Sequence, residues 1–116
     1  MKLNEVQLQG MVRHLLKICK ADLGLDNVPE IQLLNKPLES DSFGEFDGKS
    51  IRVVAKDRHP IDVMRTLAHE LAHHRQAMEG RELDGSDGSE DENEANAVAG
   101  MIMRKFAHQH PEYFLN

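Results

Sequence analysis

The 116-residue sequence predicts an α+β fold: an N-terminal helix, a small three-stranded sheet and two C-terminal helices. Three observations predict it. Apolar residues recur at three- and four-residue spacing near the N-terminus, again after Pro60 and again after Ser89, which is the stripe of an amphipathic helix. Between the first and second stripes lie short apolar runs around Asp47-Gly48, a strong hairpin signal. The length suits one hydrophobic core and is short for two, so residues 1–116 read as a single domain.

The first helix is expected from Asn4 to about Ala21, its stripe formed by Leu8, Met11, Val12, Leu15, Ile18 and Cys19, with Gly24 marking the end. After Pro29, Ile31 to Leu34 reads as a strand. Ser42 to Phe46 and Ser50 to Ala55 read as a hairpin closed by Asp47-Gly48, a dipeptide that favours a type I′ turn. Pro60 can open a helix, because the first helical N–H has no intrahelical partner to lose. Ile61, Met64, Ala68, Leu71 and Ala72 carry its stripe toward Glu79, and Gly80 stops it. Asp84-Gly85-Ser86-Asp87-Gly88 has the residues of a bent or mobile loop. Ser89 is a candidate N-cap, and Glu90, Asp91 and Glu92 suit the positive end of a helix dipole. The third helix is expected from Ser89 to about His108, with Ala95, Val98, Ala99, Ile102, Met103 and Phe106 as its apolar face.

Composition excludes several classes. A net charge of -6 gives no basic face for a phosphate backbone and no polybasic anchor for an anionic membrane. No stretch reaches the roughly 18 apolar residues needed to span a bilayer, and no secretory signal is visible. The chain therefore reads as cytoplasmic, with neither nucleic acid nor membrane as a partner. Cys19, the only cysteine, falls in the first helical stripe and reads as a core thiol.

The second helix carries His69-Glu70-Leu71-Ala72-His73, an H-E-x-x-H pattern. Histidines four residues apart lie one turn apart on one helical face, so both imidazoles can reach one Zn²⁺ at about 2.0–2.1 Å. Glu70 is displaced by about 100° around the axis, where it can act as a base without becoming a ligand. A solvated helix face with ordinary histidines is the competing reading, and His74 adds to the local count. A catalytic zinc usually takes three protein ligands. Glu94, 21 residues after His73 within Asn93-Glu94-Ala95-Asn96, is the candidate third ligand, against the alternative that it belongs to the acidic helix start.

These paired motifs resemble those of the gluzincin metallopeptidases, and most nearly the minigluzincins and the ImmA/IrrE-like small peptidases of phages and mobile elements. The resemblance spans nearly the whole chain in the order of its elements. It implies a minimal zincin-like domain with a backing helix, a short sheet, an active-site helix and a glutamate helix. It implies one Zn²⁺ on His69, His73 and Glu94, Glu70 as general base, and metalloendopeptidase activity. The position one turn beyond Glu94, where thermolysin-like relatives carry an aspartate, is Val98, so the support for the zinc-bound histidines is not identified.

Candidate donors to a tetrahedral oxyanion are Tyr113, His108 and His110. The expected substrate is a protein or peptide with a flexible segment, laid along an edge strand formed by Ser42, Phe43, Gly44, Glu45 and Phe46. The apolar tail Tyr113-Phe114-Leu115 could fill that cleft in cis and make the enzyme latent, or pack on the core. Two other classes stay open: a non-catalytic domain fastened by a metal with four protein ligands, the fourth being His74 or a residue of the acidic loop, and a phage or mobile-element interaction protein. Substrate preference, oligomeric state and pathway are not legible.

Overall fold

The computed structural model describes residues 5–82 and 88–114. The elements run α1 (Glu5–Leu23), β1 (Glu30–Leu34), β2 (Gly44–Phe46), β3 (Ser50–Val54), α2 (Pro60–Met78), α3 (Glu90–Gln109) and a 3₁₀ turn η1 (Pro111–Phe114). This is an α+β arrangement of three helices and one three-stranded mixed sheet. The loop residues Asp84 to Asp87 and the tail residue Leu115 lie outside the described residues.

The helix boundaries follow local chemistry. α1 ends at Gly24 with φ +64°, while the Leu25 N–H reaches back to the Lys20 carbonyl at 3.0 Å. Pro60 occupies the first turn of α2, and the His59 side chain caps it by accepting from the Ile61 N–H at 3.0 Å. Gly80, at φ +80°, ends the chain's helical path. Ser89 caps α3 by accepting from the Glu92 N–H at 3.2 Å.

The sheet order is β1-β3-β2, with β1 parallel and β2 antiparallel to β3. Its register puts Ile31 beside Ile51 and Leu33 beside Val53, and Phe46 opposite Ile51. Ile51 and Val53 are buried with Met11 and Leu15 of α1, Leu67 and Leu71 of α2, and Ile102 and Phe106 of α3. Cys19 is in this core, and burial pushes its thiol up to about 12.

The hairpin forms with a different turn from the one expected. Asp47 and Ser50 face each other, leaving Gly48 and Lys49 as the central pair, and only Gly48 has positive φ, at +95°. A positive φ at the first central residue alone is the type II′ pattern, not type I′. Asp47 makes the difference, because its Oδ1 accepts from the Lys49 and Ser50 N–H groups at 2.8 Å each. These bonds, from the Ser50 N–H first, hold its carboxyl below the usual carboxylate range. No helix among the described residues is long and apolar enough to cross a membrane.

Candidate metal centre

α2 and α3 pack across each other, with Ala68 and Ala72 of α2 and Ala95 and Ala99 of α3 all buried. Small residues at the crossing let charged side chains at its margin meet. The Nε2 atoms of His69 and His73 stand 3.1 Å apart. Glu92 bridges them, with Oε1 3.0 Å from His69 Nε2 and Oε2 2.9 Å from His73 Nε2. All three side chains are largely shielded, at 17%, 12% and 20% exposure. Donors about 2.0–2.1 Å from a tetrahedral ion are about 3.3 Å apart. Three lone-pair-bearing groups at 2.9–3.1 Å are close to that spacing, so His69, His73 and Glu92 could hold a metal ion.

The carboxylate that meets the two imidazoles is therefore Glu92, whereas Glu94, the ligand expected from the sequence, lies elsewhere. Two residues along a helix turn the side chain by about 200°, so the two glutamates face opposite ways. Glu94 Oε1 instead accepts from Gln76 Nε2 at 3.0 Å and from Arg81 Nη1 at 2.8 Å. The Gln76 bond first, then Arg81, holds the Glu94 carboxyl below its ordinary value. Arg81 also pairs with Asp91, so the chain after α2 is clamped to the first turn of α3. A sequence signal for Glu92 did exist: it extends the stripe Ala95, Ala99, Ile102, Phe106 by one turn toward the N-terminus. Its place in the run Glu90-Asp91-Glu92 masked it, because those acids together read as the start of a helix at the positive end of its dipole. The residue one turn beyond the acid is then Asn96, which lines the adjacent cleft, and not Val98, which is buried.

The support for His73 is Gln76, a fully buried polar side chain that the sequence reading did not single out. Its amide nitrogen donates to the Asp91 carbonyl and to Glu94, both at 3.0 Å, which fixes the amide oxygen toward His73 Nδ1 at 2.8 Å. An acceptor at Nδ1 selects the Nδ1–H tautomer and leaves the Nε2 lone pair for a cation.

Glu70 lies beside this triad, 7% exposed. Burial pushes its carboxyl up to about 7; the His73 charge opposes the rise, and Glu92 and Glu45 add to it. Gly44 of β2 lies directly over it. A Cβ at Gly44 would stand 2.6 Å from Thr66 Cγ2 and 3.3 Å from Glu70 Oε2, so only glycine allows this approach.

β2 forms the rim of a cleft of about 410 Å³ that includes Ser42, Phe43, Gly44, Glu70, Glu92 and Asn96. Phe43 O accepts from Val54 N at 2.8 Å and Asp47 N donates to Ser50 O at 3.2 Å. Alternation then turns the N–H and C=O groups of Gly44 and Phe46 toward the free edge. Ser42 and Phe43 precede the strand itself; the Ser42 hydroxyl donates to the Gly44 carbonyl at 3.3 Å, and the Arg58 guanidinium lies 4.2 Å over the Phe43 ring. Glu45 points to the other face and pairs with Arg52.

The proposed oxyanion donors are not in this cleft. His108 is 16 residues beyond Glu92 on α3, a separation of about 24 Å at 1.5 Å per residue. Beyond it, His110 stacks on His14 of α1 at 4.2 Å, and Tyr113 bonds His14 Nδ1 at 2.8 Å and stacks on Phe106. Tyr113 and Phe114 therefore pack at the far end of α3 rather than in the cleft, which removes the cis-plug expectation for those two residues. His74 also stays away, its Nε2 3.2 Å from the Asn27 carbonyl and its ring edge-on to Phe46. Among the described residues, no fourth histidine, cysteine, aspartate or glutamate joins the triad. A larger depression of about 1470 Å³ runs along β1 and α1 and includes none of the three.

Comparison with protein-family models, with curated proteins and with solved structures gave no match.

Proposed function

We propose that this protein is a zinc-dependent peptidase of minimal zincin-like build, with His69, His73 and Glu92 as metal ligands and Glu70 as general base. One observation carries the reading: two Nε2 atoms and a carboxylate from facing helices converge within 3.1 Å, next to a buried carboxyl and an open cleft. Two imidazoles and a carboxylate form a donor set typical of hydrolytic zinc sites. When bound, the ion supplies Lewis-acid polarisation of a carbonyl and lowers the pKa of water toward neutrality.

The chain's own residues do the rest. Gln76 holds His73 in the tautomer that presents Nε2. Glu70 takes a proton from the attacking water and delivers it to the leaving amine nitrogen. The free edge of β2 offers the Gly44 and Phe46 backbone groups to an extended peptide, which favours a flexible segment as substrate. A closed structural metal clip needs a fourth protein ligand, and the orientation of His74 toward Asn27 favours the catalytic reading over that one.

The test is cleavage of unstructured protein substrates by the native chain, Glu70→Gln and Glu70→Ala. Both variants should fold and retain zinc while turnover falls by about 10²–10⁴-fold. Equal turnover in all three would end the peptidase reading.

A further inference from the structure

Among the described residues, Arg65 is the one arginine or lysine that lines the cleft. It precedes His69 by four residues, one turn earlier on the same face of α2, and it is exposed. Of the carboxylates around the site, Glu92 meets the two imidazoles, Glu45 pairs with Arg52 and Glu94 with Arg81, and Glu70 is buried. The neighbouring basic residue Arg58 is also committed, to the Val54 and Asp62 carbonyls, the Thr66 hydroxyl and the Phe43 ring. Arg65 thus brings an exposed guanidinium to the cleft beside the triad.

The polarity of a bound peptide follows from β2. Gly44 lies over Thr66 and Glu70, while Phe46 meets His74, so β2 runs in the same direction as α2. A peptide added antiparallel to β2, the more stable pairing, runs the opposite way, from the His73 end toward Arg65. The residues following the scissile bond are then the ones that reach Arg65.

We propose that Arg65 is a specificity-determining residue that binds a carboxylate on the leaving-group side of the scissile bond, resting on the peptidase reading above. The carboxylate can belong to an acidic side chain or to the chain's own C-terminus; both present the planar two-oxygen group that a guanidinium binds through paired hydrogen bonds.

The experiment measures kcat and KM for quenched peptides that differ only in the residue after the scissile bond, which is glutamate, glutamine or lysine, each with a free or an amidated C-terminus. The native zinc-loaded chain should favour a carboxylate by about tenfold, through KM. Arg65→Ala should abolish the preference and Arg65→Lys should keep part of it. Preference among amidated peptides identifies the side chain; preference for the free end with glutamine identifies the terminus. No preference in the native chain, or a preference that survives Arg65→Ala, overturns the assignment. If the native chain cleaves none of the peptides, the peptidase reading fails separately. Calorimetric titration of the same peptides into zinc-loaded Glu70→Gln then decides the Arg65 assignment, which an affinity indifferent to the carboxylate overturns.

Discussion

Replacing Gln76 with methionine removes an acceptor and two donors from the core at nearly constant volume. Gln76 is fully buried and makes three hydrogen bonds, to His73 Nδ1, the Asp91 carbonyl and Glu94 Oε1. Loss of such support for a ligating histidine costs about 10–100-fold in metal affinity, or about 1.4–2.8 kcal/mol. The orphaned His73 N–H adds a folding cost of about 1–3 kcal/mol where it stays dry, while the Asp91 carbonyl lies in the first turn of α3 and keeps its place in the helical ladder. Glu94 keeps Arg81 and adds little. Gln76→Glu separates the two effects. It keeps an acceptor for His73 but sets a second carboxylate against Glu94. The assays are zinc competition against a chromophoric chelator and thermal unfolding of the metal-free protein. Methionine should lose both affinity and stability, whereas glutamate should lose stability and hold zinc within about tenfold of the native chain. Native zinc affinity in Gln76→Met would refute the claim that this amide orients His73.

Two further outcomes are expected. Gly44→Val should move β2 off α2, because even one added carbon would lie 2.6 Å from Thr66 Cγ2; overpacking of this kind costs about 1–3 kcal/mol, read as a lower denaturation midpoint together with lost peptide cleavage. Asp47→Asn should flatten the acid limb of the stability profile. The folded-state pKa of Asp47 is depressed, so its contribution is present above the ordinary value of 3.8 and lost as pH falls through the folded one. Unfolding midpoints of native and variant from pH 7 to pH 2 check this, and parallel curves would exclude it.

The helices were legible because their signals are local. Pro60, Gly80 and Ser89 set boundaries by backbone chemistry confined to one turn, and the stripe of α3 predicted the buried set Ala95, Val98, Ala99, Ile102, Met103 and Phe106. The parallel pairing of β1 with β3 was not legible, since it joins residues 20 apart whose register no turn dictates. In the site, His69 and His73 follow from helical spacing alone. The choice between Glu92 and Glu94 depends on how α3 is rotated against α2, which the stripe from Ala95 encodes and the acidic cap obscured. Gln76 was not legible because its partners, Asp91 and Glu94, come from the next helix. His110 and Tyr113 were attractive by residue type, and the length of α3 carries them away from the cleft.

Zinc content measured on purified native chain, Glu92→Gln and Glu94→Gln tests the geometry most directly. One ion per native chain is expected, with affinity falling at least about a hundredfold in Glu92→Gln and staying within about tenfold in Glu94→Gln. Native protein without stoichiometric zinc, or a Glu94 variant that loses the ion while the Glu92 variant keeps it, would contradict the centre described above.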